Sequence, residues 1–593
     1  MSTDTGRPET TSTPAMRPAQ VLQAISGLMA AMFVVLVSST VVATPMPRIM
    51  SDLGGTNTEY TWVLVAAFLS MTVTTPIWGK LADIFNRKML LQLALVVFTL
   101  ATVAAGFASQ IGGPSHEGAA QWLIGWRFVQ AIGTGGLMAL GQVVIADIIS
   151  PRERGKYMGI MGAVMAVGQI GGPLLGGVIA DSWGWEWCFF VCVPIAVIAF
   201  VMIQSTLHVS NIRRKMKIDY LGAGLIVSGI SILLVWISLG GKTPEAGGFA
   251  WDSTQSIVLV ALGALLTIGA VVNEFLVEEP IIPVRLFAQR TFALASVASI
   301  AVGVTMFGTT VFLSQYLQFA RGLTPTDSGL ATIPMVIGSM VGSIVVGQLI
   351  SRTGMWKPYV IGGAVALTAG LALMSTIHYD TSIWFVWLNM LLLGLGSGVL
   401  MQNLVLVTQN SLPATQLGAG SGAVTFFRSL GGTVGVSVLG SVLGTQVGDK
   451  IKAGLSELMA KLDPALNLPT VLVENPDCAD SVERLGSGAV PAIDQLCEPV
   501  RMVVESSYGD SIAFLFLLVV PLAIVSLICA IFLPNKPLSR KTAAQQIEEE
   551  LGAELSALEP AEKGGAGFRE LVETGQITLP ETDGRRRGSR YGE

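Results

Sequence analysis

Three ionisable residues stand at the ends of long apolar runs: Asp83 and Arg87, four positions apart, and Asp147. Such a set can work as a proton-sensitive latch, made and broken between helix ends, or as a static salt bridge; both readings stand. Arg127 and Gln130 lie inside one apolar run, followed by Gly133 and Gly135. A cation within a membrane run is costly unless it meets a partner or water. Arg127, with Gln130 beside it, is therefore a functional-site candidate, with snorkelling of Arg127 to the interface as the alternative. Uncharged amides gather in the second half, as Gln315, Gln318, Gln402, Asn403, Gln409 and Asn410. They can bond ligands of varied chemistry, or hold helices together at roughly 0.6–2 kcal/mol each. Asn403 is expected nearest the midplane, so it is placed with Gln402 and Gln315 as lining of a substrate cavity. Arg428 is expected near the inner face, snorkelling.

Other chemistries find no support. Membrane-embedded transferases need paired carboxylates or a nucleophile with its base, and no such set occurs, so the chain is not read as an enzyme. His116, His208 and His378 are scattered, and the five cysteines lack metal-ligand spacing. No G-x-x-x-x-G-K-[ST] loop is found, so ATP is not expected as a partner. A net charge of −5 gives no reason to expect nucleic acid. No cofactor is expected.

The elements that carry these residues are membrane helices. Only 13% of the 593 residues are charged and mean hydropathy is +0.64, where a soluble chain carries roughly 25% charged residues. The 67 glycines suit helices packed closely in lipid. Runs long enough to span a bilayer fall near 22–44, 61–79, 89–109, 122–149, 157–180, 187–206, 220–240, 254–276, 293–317, 328–350, 358–377, 384–408, 420–445 and 510–533. That predicts an all-α polytopic membrane protein with fourteen spans. If the N-terminus is cytoplasmic, the inner loops hold fourteen Lys and Arg (Lys80, Arg87, Lys88, Arg152, Arg154 and Lys156 among them) and the short outer loops only Arg48, Lys242 and Arg321. This asymmetry orients the chain with both termini cytoplasmic.

Five parts follow: a tail at 1–21, a six-helix bundle at 22–206, a two-helix insertion at 207–278, a second six-helix bundle at 279–533, and a tail at 534–593 expected to be disordered. The tail carries Glu548, Glu549 and Glu550, then Arg585, Arg586 and Arg587. The second bundle includes an outer loop at 446–508. Cys478 and Cys497 share that loop, and a bridge between them would stabilise by roughly 3 kcal/mol. Cys188, Cys192 and Cys529 read as small apolar filler. Residues 449–463 have the spacing of an amphipathic helix on the outer leaflet.

Several segments carry a resemblance. Gly79-Lys80-Leu81-Ala82-Asp83-Ile84-Phe85-Asn86-Arg87-Lys88 resembles the signature loop of the major facilitator superfamily, G-x-L-A-D-R-x-G-R-R/K. Asn86 replaces a glycine there, and asparagine tolerates a left-handed backbone. Gly347-Gln348-Leu349-Ile350-Ser351-Arg352-Thr353-Gly354 is a degenerate echo in the second half, as an internal duplication should show. Arg127, Gln130, Gly133 and Gly135 resemble the family's R-x-x-Q-G-x-G motif, associated with proton transfer, with Ala131 at the first glycine. Gly168, Gly172, Pro173, Gly176 and Gly177 resemble the g-x-x-x-G-P-x-x-G-G pattern of its exporter branch, which tracks with antiport; the same residues also read as a packing face. Asp219 to Gly222, Pro280 to Phe287 and Phe312 to Gly322 resemble fourteen-span drug/proton antiporters.

The resemblance implies a major facilitator fold, two six-helix halves with two extra central helices, and proton-coupled efflux of hydrophobic or amphipathic molecules from the cytoplasm across the inner membrane. Its partners would be that cargo, protons and membrane lipids, with oligomeric state left open. Two departures qualify it. Ser38 stands where such antiporters often carry an acid, which makes it a further cavity candidate. Trp185-Glu186-Trp187 and Cys192-Val193-Pro194 replace W-R-W and Asn-x-Pro. A neutral cavity favours the alternative, export of an endogenous lipid or metabolite.

Overall fold

The computed structural model describes residues 18–42, 45–111, 113, 118–207, 219–241, 248–277, 279–413, 416–460, 478, 496–541 and 545. Among the described residues, fourteen helices are long and apolar enough to cross a membrane. In chain order they are α1 (Leu22–Val41), α2 (Trp62–Ile84), α3 (Arg87–Gly106), α4 (Ala119–Ile148), α5 (Pro151–Ser182), α6 (Trp187–Thr206) and α7 (Tyr220–Leu239). There follow α8 (Thr254–Leu276), α9 (Arg290–Ala320), α10 (Thr326–Thr353), α11 (Lys357–Met374), α12 (Ile383–Ser411), α13 (Leu417–Ala460) and α14 (Glu498–Phe532). No strand occurs among the described residues. In hydrocarbon a helix satisfies its backbone within one segment, and its outward side chains face a solvent as apolar as themselves. On α8, Ile257, Val258, Leu262, Leu265, Ile268 and Leu276 are all exposed. This is a multi-pass membrane protein.

Local sequence sets the helix ends. Thr56 accepts from the amide of Glu59, whose carboxylate accepts from the Thr56 amide in return, a capping box ahead of α2. Asp219 caps α7 through Gly222 N at 2.8 Å. Gly354 ends α10 at φ +75°, a conformation glycine adopts without a Cβ clash.

α1–α6 pack around one core containing Met32, Phe98, Leu140 and Phe189. α9–α14 pack around a second with Phe312, Trp356, Met390 and Phe516. α7 lies against α8, α2 and α13. The two groups meet chiefly along two seams, α5 on α10 and α2 on α13.

α13 and α14 are longer than the apolar runs 420–445 and 510–533. The 44 residues of α13 make a helix of roughly 66 Å, about twice the ~30 Å hydrocarbon core. Hydropathy stops at Asp449 and Lys450, but nothing there breaks a helix. Ile451 is buried, and Gly454 faces Val503 of α14. The segment 449–463 is therefore not a separate surface helix: through Ala460 it continues α13, with its apolar face on α14. Residues 461–463 lie outside the described residues. Cys478 and Cys497 are joined by a disulfide, their Cα atoms 5.3 Å apart; the rest of the 446–508 loop, 461–477 and 479–495, also lies outside. The first tail residues are held in place rather than free. Lys536 O accepts from Trp356 Nε1 at 2.8 Å, Pro537 O from Asn410 Nδ2 at 3.2 Å, and Ser539 O from Arg152 N at 3.1 Å. The acidic and Arg runs of that tail, and the tail before residue 18, lie outside the described residues.

Candidate functional site

The seam between α2 and α13 is built from Gly79 and Asp83. A helix leaves its first amides without intrahelical acceptors. Asp83 reaches from α2 to the start of α13 and accepts from Gly418 N and Ala419 N, both at 2.8 Å. A carboxylate at a helix N-terminus meets both the amides and the helix dipole. The approach needs glycine: a Cβ on Gly79 would lie 2.7 Å from Gly418 O and 3.0 Å from Gly422 Cα. Arg87 then ties this carboxylate to α4. Its Nη2 is 3.7 Å from Asp83 Oδ1, its Nη1 bonds Asp147 Oδ1, and its Nε donates to Ala82 O at 2.9 Å. The structure thus brings together Gly79, Asp83, Arg87 and Asp147. Lys88 turns away, donating to Gln204 O on α6 at 2.7 Å. Asn86 is not left-handed. Its φ is −61° and its side chain accepts from Lys88 N and Met89 N, so it serves as the N-cap of α3.

The other seam repeats this plan with a hydroxyl in place of the carboxylate. Gly347 on α10 faces Gly155 on α5, and a Cβ on Gly155 would lie 3.0 Å from Gly347 O. Four residues on, as Asp83 follows Gly79, Ser351 Oγ accepts from Lys156 N at 2.9 Å. Arg152 adds a bond from Nη2 to Arg352 O at 3.2 Å. Both seams close the same end of the bundle.

Between the seams lies a buried polar hub that counting charges by loop does not reveal. Arg154, 1% exposed, donates to Gln409 Oε1 on α12 at 2.8 Å, and to Ala146 O and Ile149 O at 2.8 and 3.1 Å. Gln409 Nε2 donates to Gln142 O at 3.2 Å and to Ser421 Oγ at 2.8 Å, and Thr425 Oγ1 donates to Gln142 Oε1 at 3.0 Å. Four helices, α4, α5, α12 and α13, share this network. Pro151 marks the first residue of α5, which is the signal that Arg154 is a helix residue rather than a loop charge.

Arg127 does not snorkel. It is 4% exposed and donates to Gln130 Oε1 at 2.7 Å. Gln130 Nε2 in turn donates to Ser38 Oγ at 3.0 Å and Thr102 Oγ1 at 2.7 Å. Ser38 therefore belongs to the core of α1–α6, and Asp147 lies elsewhere, with Arg87. Arg428 does not snorkel either: it is 5% exposed and donates to Met401 O at 3.0 Å. Asn403 is buried and donates to Val399 O of its own helix at 2.7 Å. Gln402 is the amide that meets the other half, its Nε2 3.4 Å from Met165 Sδ. Gln315 is half-buried just before the π-turn Tyr316–Ala320, apart from the others.

The glycines of α5 form a packing face on α1. A Cβ on Gly168 would lie 3.1 Å from Leu36 Cβ, and one on Gly172 would lie 3.0 Å from Val41 N. Gly176 sits against Val41 O, and Thr40 Oγ1 donates to Gly168 O at 3.2 Å. Pro173 lies within this stretch, and Gly177 is half-buried beside it. Among the described residues no group of three or more His, Cys, Asp or Glu is placed to hold a metal.

Comparisons with known proteins agree with this architecture. The chain is 31% identical over 541 residues to the multidrug transporter protein MdtP of Bacillus subtilis, covering 89% of this chain and 96% of that one. It is 31% identical over 418 residues to multidrug resistance protein 3 of the same organism, covering 70% and 78%, and 29% identical over 434 residues to the efflux pump LUC4 of a Fusarium species, covering 71% and 74%. In fold it is similar to the proton:xylose symporter XylE, with a TM-score of 0.56 at 13% identity over 90% of this chain and all of that one. It is also similar to the human organic anion transporter MFSD10, at 0.52 and 14% over 86% and 100%. The family model for the Major Facilitator Superfamily matches residues 28–436, and the chain belongs to that superfamily of transporters.

Proposed function

We propose that this transporter exports hydrophobic or amphipathic small molecules from the cytoplasm of a bacterium across its inner membrane, by alternating access driven by the proton gradient. The observation that carries the reading is the closed end, where Asp83 sits on the amides of α13 and Arg87 bridges it to Asp147. These bonds are charge-assisted and reversible. Protonation of either carboxylate weakens them, so proton entry would release the α2–α13 seam and open this end. The basic inner loops make it the cytoplasmic end. The relatives named as multidrug transporters and efflux pumps support the direction and the breadth of cargo. A second reading, export of an endogenous lipid or metabolite, is favoured by one observation: Ser38, not an acid, meets Gln130 in the core of the first half.

The test is transport in proteoliposomes of a panel of fluorescent amphiphiles, with and without an imposed pH gradient. Gradient-driven movement that Asp147→Asn abolishes is the expected result. Movement indifferent to the gradient removes the proton coupling, and no movement of any probe above empty liposomes removes the exporter.

A further inference from the structure

Among the described residues Arg127, Arg154 and Arg428 are buried and Arg87 is largely so, and they differ in what meets the guanidinium. Arg87 has two carboxylates, Arg154 an amide and two carbonyls, and Arg127 an amide inside the first core. Arg428 differs. Its one protein acceptor among the described residues is Met401 O at 3.0 Å, and no carboxylate there is within ion-pair distance. It lies eleven residues from the start of α13 (428 − 417), or roughly 16 Å along the axis, close to the middle of a ~30 Å hydrocarbon core. An uncompensated guanidinium at that depth costs several kcal/mol.

The direction of the side chain follows from its neighbours. Ser421, Thr425 and Arg428 share one face of α13 by helical spacing. The first bonds Gln409 and the second Gln142 on α4 of the other half. Arg428 is the next residue on this face beyond the closed polar hub, and its acceptor, Met401 O, lies on α12 of its own half. Beside Met401, Gln402 has a buried Oε1 with no partner; its amide can be turned to offer its NH2 instead. One turn further along α13 is Gly432. Its missing Cβ leaves room for Phe307, whose ring meets Phe68 of α2 edge to face with centroids 6.3 Å apart. A cation without a counter-ion is thus one helical turn from the glycine on which an aromatic pair spanning the two halves rests.

We infer that Arg428 is the head-group site for cargo, and that the preferred cargo is a single-chain amphiphile with an anionic oxygen-bearing head and an apolar body lying against Phe307 and Phe68. The inference rests on the exporter reading and narrows it: the ion missing from the protein is brought by the substrate. Bound cargo neutralises the guanidinium, and an empty site leaves it held by one carbonyl.

The experiment uses the full chain in proteoliposomes and three probes with the same alkyl chain and uncharged fluorophore, ending in sulfonate, hydroxyl or trimethylammonium. The sulfonate is expected to move about tenfold faster than the hydroxyl probe, and the trimethylammonium probe slower than both, as a buried charge pair dictates. Arg428→Gln should bring the sulfonate-to-hydroxyl ratio to about one, and Arg428→Lys should retain part of the preference. In the unaltered protein, excess alkyl sulfonate should suppress sulfonate transport while the matched alcohol does not, a readout that needs no variant. Hydroxyl or trimethylammonium probes moving as fast as sulfonate, or an Arg428→Gln ratio like that of the unaltered protein, overturn the inference and leave the exporter standing. If no probe moves, both fall.

Discussion

The two seams that close one end of the bundle follow the same plan with different chemistry. In each, a glycine near the end of one helix lets the backbones touch, and the residue four positions on reaches the start of the partner helix. On α2 that residue is Asp83, which takes two amides of α13; on α10 it is Ser351, which takes one amide of α5. The α5–α10 seam compensates by depth of contact, with Gly155, Gly159 and Gly162 laid on Gly347 and Ser343. Charge is concentrated on one seam and close packing on the other. If this end opens and closes in transport, as proposed, one seam holds carboxylates that protonation would weaken and the other is held mainly by packing.

The largest expected effect comes from filling the packed seam. A Cβ at Gly159 would collide with Ser343 O, a backbone atom that cannot step aside. Gly159→Val should cost about 3 kcal/mol in the closed form and lower transport roughly tenfold or more. The check is the initial rate in proteoliposomes for protein that still elutes as a single species. Transport at half the normal rate or better would mean that the α5–α10 contact is incidental.

Exchanging the chemistry of the seams sharpens the contrast. Asp83→Ser makes the α2–α13 seam resemble its counterpart. It should remove about 2 kcal/mol of charge-assisted bonding and, with it, the response of transport to an imposed pH gradient. Ser351→Asp places a carboxylate where Lys156 N already has an acceptor, and should change the rate less than about twofold. Equal effects of the two substitutions would erase the distinction between the seams.

Much of this was legible in the residues. Asp83, Arg87 and Asp147 could be grouped because α2 ends just after Asp83 and α3 begins at Arg87, and α4 ends on the same side. The echo at Gly347 could be aligned with Gly79, but the part Ser351 plays there needed coordinates. The snorkelling expected of Arg428 fails because hydropathy gives a residue's depth only approximately and says nothing of its azimuth. The same limit left Gln402 and Asn403, adjacent in sequence, undistinguished, although they point to different neighbours. The lengths of α13 and α14 were underestimated because Asp449 and Lys450 end an apolar run without ending a helix. Arg154 was counted with the loops, and only tertiary contacts reveal it at the centre of four helices.

The smallest effect concerns how the α7–α8 pair is fastened to the charged seam. Lys80, next to Gly79, is 8% exposed at its side chain and donates to Glu279 Oε2 at 2.9 Å, just beyond α8. Glu274 holds the chain there by accepting from Ile281 N and Ile282 N at 3.2 Å, and Asn273 Nδ2 donates to Asp219 Oδ2 at 2.6 Å, joining α8 to α7. Glu279 is 36% exposed, so water screens one partner while the other stays buried. The pair should then fall between an exposed bridge of about 0.2–1 kcal/mol and a broken buried one of about 3–5 kcal/mol. Glu279→Gln strands the buried ammonium and should lower thermal stability in detergent more than the double variant with Lys80→Met does, with a coupling of about 1 kcal/mol. Transport should change less than about twofold, because this pair fastens α7–α8 to α2 without bridging the two halves. Additive single effects in the melting curves would show that Lys80 and Glu279 do not act together, and a large loss of transport would move α7–α8 from an accessory of the seam to a part of it.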